Sequence, residues 1–274
     1  MRNLSRVGLA VLCGLLWAGT AATAPEEQKK LTAEERARAE KTVLNYLEEM
    51  KASHGLLQPL RDEPLERLFP RYAYFSLLFR QYPVARVPPK GFVVSNVIVV
   101  DPAGKVTVLT GVNKGMSDYL NAALPMSKTD DHAKDVARGF VRLMEEFSQD
   151  GFYKFVRAES ATKVVPDGPI RKASAVAVAS AGGNGEVSAT LLLDENGKIT
   201  KVDFKAMLKA GPRPICHATK LLDADPLVRR IVEQDLLIMG TAAKPYLDEQ
   251  RAQAAPELQQ AIDRIWQRIL DAEK

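Results

Sequence analysis

The chain places a thiol next to an imidazole at Cys216–His217. Nucleophilic catalysis needs a base within hydrogen-bond reach of the sulfur. Adjacent residues point about 100° apart on a helix and to opposite faces of a strand, so neighbours in sequence are poorly placed to activate each other. Nothing in the sequence links the other two histidines, His54 and His132, to the thiol. Cys216 therefore reads as a small buried residue in the first turn of a helix, with His217 on its surface. Asp130, Asp131, His132 and Asp135 form a second cluster. Asp131 and Asp135 share a helical face, but acids at a helix N-terminus are expected from the helix dipole without any metal. Zinc and related ions usually take three or more protein ligands, so no metal site is expected.

Other motifs dissolve on inspection. Ser160-Ala161-Thr162-Lys163 matches S-x-x-K, but its companion elements S-D-N and K-T-G are absent, and it falls in a segment that reads as a strand. The glycines of AGGNG are followed by no Gly-Lys-Ser/Thr and lie between strand patterns, which is a hairpin rather than a phosphate loop. No G-x-S-x-G, H-E-x-x-H or C-x-x-C occurs. No catalytic residue and no cofactor is assigned, and a carboxylate pair cannot be picked out among 34 acids.

The aromatic run from Tyr72 to Tyr82, YAYFSLLFRQY, offers more. Tyrosine combines a flat apolar body with a polar tip, which suits a surface that contacts a partner or a glycan. Tyr72, Tyr74, Phe79, Arg80 and Tyr82 are the candidate contact residues, with Phe75 in the same run and Arg86 and Lys90 as a rim. The competing reading is a half-buried strand beside the core.

These residues need elements to hold them. The chain opens MRNLSR, then VGLAVLCGLLWAG, then TAATA: a charged start, an apolar stretch and a small-residue exit. That is the pattern of a secretory signal peptide. Cleavage is expected after Ala22, with Thr20 at −3, or after Ala24; retention of Val7 to Ala24 as an anchor is the alternative. Without this segment Cys216 is the sole cysteine, so no intramolecular disulfide forms and the core alone supplies stability. No further long apolar run follows, so no membrane span is expected after signal removal. The net charge is +4, two of it from Arg2 and Arg6, which argues against a nucleic-acid partner. The apolar and charged fractions, 46% and 26%, are those of a globular protein.

LTAEERARAEKTVLNYLEEMKASHG reads as a helix with a Thr32/Glu35 capping box and Gly55 as its stop. YAYFSLLFRQY, FVVSNVIVV and KVTVLTG read as strands, with DPAG as a turn between the last two, and MSDYLNAAL as a short helix. The clearest helix starts near Asp130, with Val136, Phe140, Leu143 and Phe147 on one face and Val141 and Met144 beside it. Strands follow at FYKFVRAESATKVV, IRKASAVAVAS, EVSATLLLD and KITKVDFKAML, and DENG favours a hairpin. In the last of these Val202, Phe204 and Ala206 alternate with Lys201, Asp203 and Lys205, which predicts one buried and one wet face. The expected class is α+β: an antiparallel sheet packed on a long helix, to which the earlier strands add. The order is similar in outline to cystatin-like folds, where a sheet wraps a helix.

Beyond Gly211 and Pro212 everything reads helical: ICHATKLL, DPLVRRIVEQDLLIM, TAAKPYLDEQRAQ and PELQQAIDRIWQRIL. Asp225-Pro226-Leu227-Val228-Arg229, then Met239-Gly240, then Ala243-Lys244-Pro245-Tyr246-Leu247 resembles one HEAT-type repeat. Pro256-Glu257-Leu258, Ala261 and Arg264-Ile265 resemble the opening of another. Repeats of that kind stack to bury their faces, so a lone unit implies packing on the rest of the chain or on a partner. The whole layout resembles exported proteins of environmental bacteria such as planctomycetes, a likeness that implies no activity. The organisation read from the sequence is a signal peptide at 1–24, an N-terminal helix at 25–60, an α+β sheet domain at 61–210 and a HEAT-like helical segment at 211–274. The expected function is non-enzymatic binding or scaffolding outside the cytoplasm, with another envelope protein as partner. The alternative is a small-ligand binder, or a hydrolase using carboxylates, in the cleft between sheet and helical segment.

Overall fold

The computed structural model describes residues 30–211, 213 and 217–272. The signal segment and Cys216 lie outside them. The protein is α+β, with two antiparallel sheets and seven α-helices among the described residues. Helix α1 (Ala33–Glu49) starts at the expected capping box: the Thr32 hydroxyl accepts from Glu35 N at 3.2 Å and Glu35 Oε2 accepts from Thr32 N at 2.7 Å. Strand β1 (Leu56–Pro59), helix α2 (Glu63–Leu68), and strands β2 (Ala73–Leu78), β3 (Ser95–Val100) and β4 (Val106–Leu109) follow. The four strands form one sheet in the order β1-β2-β3-β4. After helix α3 (Lys114–Ala123) and helix α4 (Asp130–Phe147) come β5 (Lys154–Val156), β6 (Lys163–Asp167), β7 (Ile170–Ala181), β8 (Gly183–Leu193) and β9 (Ile199–Ala210). They form a second sheet, β5-β7-β8-β9, with β6 pairing β7.

The earlier strands do not extend the second sheet, as the sequence suggested. The reason lies in α4, whose Val136, Phe140, Val141, Leu143 and Met144 are all buried. An apolar surface this broad cannot be covered from one side. One flank meets Tyr74, Val97 and Val99 of the first sheet, the other Ala175, Ala177, Val187 and Leu191 of the second. The first sheet is in turn covered on its far side by α1, where Val43 and Leu47 pack on Phe75, Leu77, Ile98 and Val100. The body is therefore four layers: α1, first sheet, α4, second sheet. Central β3 is buried on both faces, which is why NVIVV shows no polar alternation.

Two turns share one device. Asp101 Oδ1 accepts from Ala103 N and Lys105 N at 2.9 Å each, and Asp194 Oδ1 accepts from Asn196 N and Lys198 N at 2.8 and 2.9 Å. The FYKFVRAESATKVV pattern is not one strand. A 3-10 turn at Glu159–Ala161 separates β5 from β6. The expected buried face of β9 is also corrected: Phe204 is 45% exposed and Ala206 is exposed, because β9 is an edge strand that α4 does not reach across.

The C-terminal segment holds a 3-10 turn (Ala218–Leu222) and helices α5 (Pro226–Met239), α6 (Lys244–Ala252) and α7 (Pro256–Ala272). Asp225 caps α5, accepting from Leu227 N at 2.8 Å, with Pro226 at the first helical position. Its core is separate from that of the body and is built from Val232, Leu236, Tyr246, Leu247, Ile262, Ile265 and Ile269. Among the described residues no helix is long and apolar enough to cross a membrane.

Candidate functional site

Charged side chains inside an apolar helix face are the least expected feature of α4. Arg142, Glu145 and Glu146 sit at i, i+3 and i+4, and both glutamates are buried, 4% and 8% exposed. Arg142 Nη1 lies 3.2 Å from Glu145 Oε2 and 2.5 Å from Glu146 Oε1. Asp62 joins them from the N-cap of α2, where Oδ1 accepts from Leu65 N at 3.3 Å and Oδ2 accepts from Arg157. Arg157, just past β5, also puts Nε 3.1 Å from Glu145 Oε1, though out of line for a hydrogen bond. Three carboxylates thus share two guanidiniums. Burial pushes the Glu145 carboxyl up to about 7; the two arginines oppose this, and Asp62 and Glu146 add to it. A proton on Glu145 would balance the cluster's charge.

This cluster is the wall between two clefts. On one side a groove of about 520 Å³ runs past Asp62 and Arg157 to Arg67 and Arg138. Three of the arginines that line it, Arg67, Arg138 and Arg157, already have partners. Arg67 makes a bidentate pair with Asp135 at 2.6 and 2.7 Å, and Arg138 Nε donates to Thr162 Oγ1 at 3.0 Å. On the other side, Arg142 and Glu146 face a cleft of about 300 Å³ where the body meets the helical segment. Its apolar walls are Leu56, Leu78, Met239 and Pro245, and its polar groups include Arg80, Tyr82, Gln149 and Asp150.

The junction around this cleft is held mainly by charge and rings. Glu249 of α6 accepts from Arg80 Nη2 at 2.9 Å and from Arg86. The Arg80 guanidinium lies 4.9 Å above the Tyr246 ring, and burial lowers its affinity for its proton. Tyr246 spends its hydroxyl accepting from Ala218 N at 2.7 Å. Arg213 reaches back to Asp150 at 2.7 Å and stacks 4.7 Å over Phe152, whose ring meets Tyr82 edge-on at 6.0 Å.

The aromatic run therefore does not form one contact surface. Tyr74 and Phe79 are 6% and 0% exposed and lie in different cores, because successive strand residues face opposite ways and this sheet is covered on both faces. Neither offers a surface to a partner. Half-buried Tyr72 packs edge-on to Phe69 and lines a cavity of about 270 Å³ beside α1, while Arg80 and Tyr82 line the junction cleft. Lys90 is exposed, and Arg86 is bound to Glu249.

The Asp130 cluster does not converge either. Asp130 pairs with Arg171 at 2.9 Å, Asp131 with Lys134 at 2.8 Å and Asp135 with Arg67. Burial lowers the affinity of the His132 imidazole for a proton. Among the described residues no group of three His, Cys, Asp or Glu could hold a metal ion. The Asp62–Arg142–Glu145–Glu146–Arg157 cluster was not found in the sequence. Its one local signal is the charge of Arg142, Glu145 and Glu146 set among Val141, Leu143 and Met144. No protein-family model, no curated protein and no solved structure matches the chain.

Proposed function

We infer that this is an exported, non-enzymatic binding protein that takes a compact polar ligand with one apolar face into the cleft between its sheet body and its helical segment. The observation that carries this reading is the cleft itself. It sets guanidinium, carboxylate, amide and tyrosyl groups around aliphatic walls, in a volume of about 300 Å³. The signal-like start of the chain supports the export part of this reading. The HEAT-like character of the helical segment supports binding rather than chemistry. A scaffold role through the aromatic run has less support, since Tyr74 and Phe79 are buried. The hydrolase reading can point to Glu145 near neutrality. Yet the side chains of Asp62 and Glu145 are only 3% and 5% exposed, so neither can touch a substrate in this conformation.

The test is a thermal-shift screen of the protein against free sugars, amino acids and short peptides. A binder at a hundredfold excess over its Kd should stabilise the fold by about 2.7 kcal/mol, visible as a rise of a few degrees in Tm. Tyr82→Ala and Gln149→Ala, both on the cleft wall, should abolish that shift while leaving the unliganded Tm within a few degrees. If no compound shifts Tm and an envelope protein is retained on the immobilised chain instead, the scaffold reading replaces this one.

A further inference from the structure

Strand β9 is patterned for burial on one face, and the single chain does not bury it. Val202, Phe204 and Ala206 pair with Leu191, Ala189 and Val187, which are buried. Yet Phe204 is 45% exposed, and every residue from Lys201 to Lys209 except Val202 and Leu208 is exposed. One edge of β9 pairs with β8; among the described residues no strand pairs the other. Lysines on such an edge usually repel a second strand. Here their spacing does something else.

We propose that two copies of the chain associate through this edge, β9 against β9, antiparallel, with the two-fold axis at Phe204. A two-fold axis normal to the sheet keeps each face on its own side, so a residue can only oppose one of the same parity. Four axes lie within two residues of the strand's midpoint. An axis at Asp203 sets that carboxylate opposite itself and Lys201 opposite Lys205. An axis at Lys205 sets that ammonium opposite itself and Lys201 opposite Lys209. An axis at Ala206 sets Asp203 opposite Lys209 and opposes no like charges, but it runs the pairing past the strand's end at Ala210 to Gly211 and sets Phe204 against Leu208 instead of its own mate. An axis at Phe204 sets Asp203 opposite Lys205 twice, once on each side, and leaves no like charges opposed. Lys201 then lies across from Met207, whose thioether can cover its aliphatic stem. On the inner face Phe204 meets its symmetry mate and Val202 meets Ala206, so the apolar alternation gains the cover that α4 does not give it. The second sheets of both copies become one continuous antiparallel sheet. The paired stretch, Lys201 to Met207, starts beyond the irregular register at Leu192/Leu193 and beyond Ile199, whose backbone is held by Asn121 at 2.7 and 2.8 Å.

Sedimentation equilibrium of the full chain tests this. The protein should show a concentration-dependent dimer. Lys205→Asp and Asp203→Lys each turn two attractive pairs into two repulsive ones, and each should weaken the dimer roughly tenfold or more. The double variant Asp203→Lys/Lys205→Asp restores opposite charges and should restore the dimer. All these positions are exposed, so the fold should persist, which circular dichroism checks. Phe204→Ala should weaken association without charge reversal. A chain that stays monomeric at its highest soluble concentration overturns the proposal. So does a dimer that neither single reversal weakens, or a double variant that stays as weak as the singles.

Discussion

Glu145 joins the fold's electrostatics to its pH response. Its carboxyl titrates at about 7 in the folded chain against 4.5 for the free side chain. Between those values the folded chain holds a proton that the unfolded chain has released. The unfolding free energy contributed by this group therefore falls as pH rises from about 4.5 to 7. Glu145→Gln mimics the protonated form. The variant should match the parent near pH 4.5 and exceed it above pH 7 by roughly 3 kcal/mol, in urea unfolding followed across that range. A parent and variant with the same pH slope would mean that Glu145 is ionised throughout, with Arg142 and Arg157 outweighing burial. The sequence shows the Arg142–Glu146 spacing but not that Asp62 and Arg157, far apart along the chain, close over it. Burial of those charges is a tertiary fact that local pattern does not carry.

At the scale of elements, patterns that depend on neighbours in the chain were legible. The α1 capping box, the Asp101 and Asp194 turns, α4, and the β7–β8–β9 meander all appear where their residues place them. Patterns that depend on what lies across space were not. Alternation in β9 says which residues share a face, not whether anything covers it. The breadth of apolar residues on α4 was visible as flanking positions, but not as the reason for two sheets. The β8–β9 hairpin also rests on a close approach. Gly185 has φ +114°, and a Cβ there would lie 1.9 Å from the Met207 carbonyl oxygen. Gly185→Ala should cost at least about 2 kcal/mol, read as a lower urea midpoint, since both the backbone angle and the contact are with main chain that cannot yield. It should also weaken any association through β9.

At the scale of the molecule, the layered body and the helical segment, which has its own core, meet at a junction built on Glu249. Glu249→Ala leaves the Arg80 guanidinium, whose side chain is only 12% exposed, without its carboxylate. The expected loss is about 1–3 kcal/mol, confined to the junction. Amide hydrogen exchange should quicken across α5, α6 and α7 while α4 keeps its protection. Equal changes in both parts would mean that the cores unfold as one.

The position of α4 between the sheets has a further consequence during synthesis. Strands β1 to β4 are complete at Leu109, but the helix that covers their inner face ends only at Phe147. A nascent chain emerging N-terminus first therefore carries Tyr74, Val97 and Val99 bare until that helix arrives, and the helix in turn waits for β7 and β8. During that interval the half-made body presents an apolar surface open to aggregation. Slowing translation between the first sheet and α4 should therefore favour aggregation over native yield.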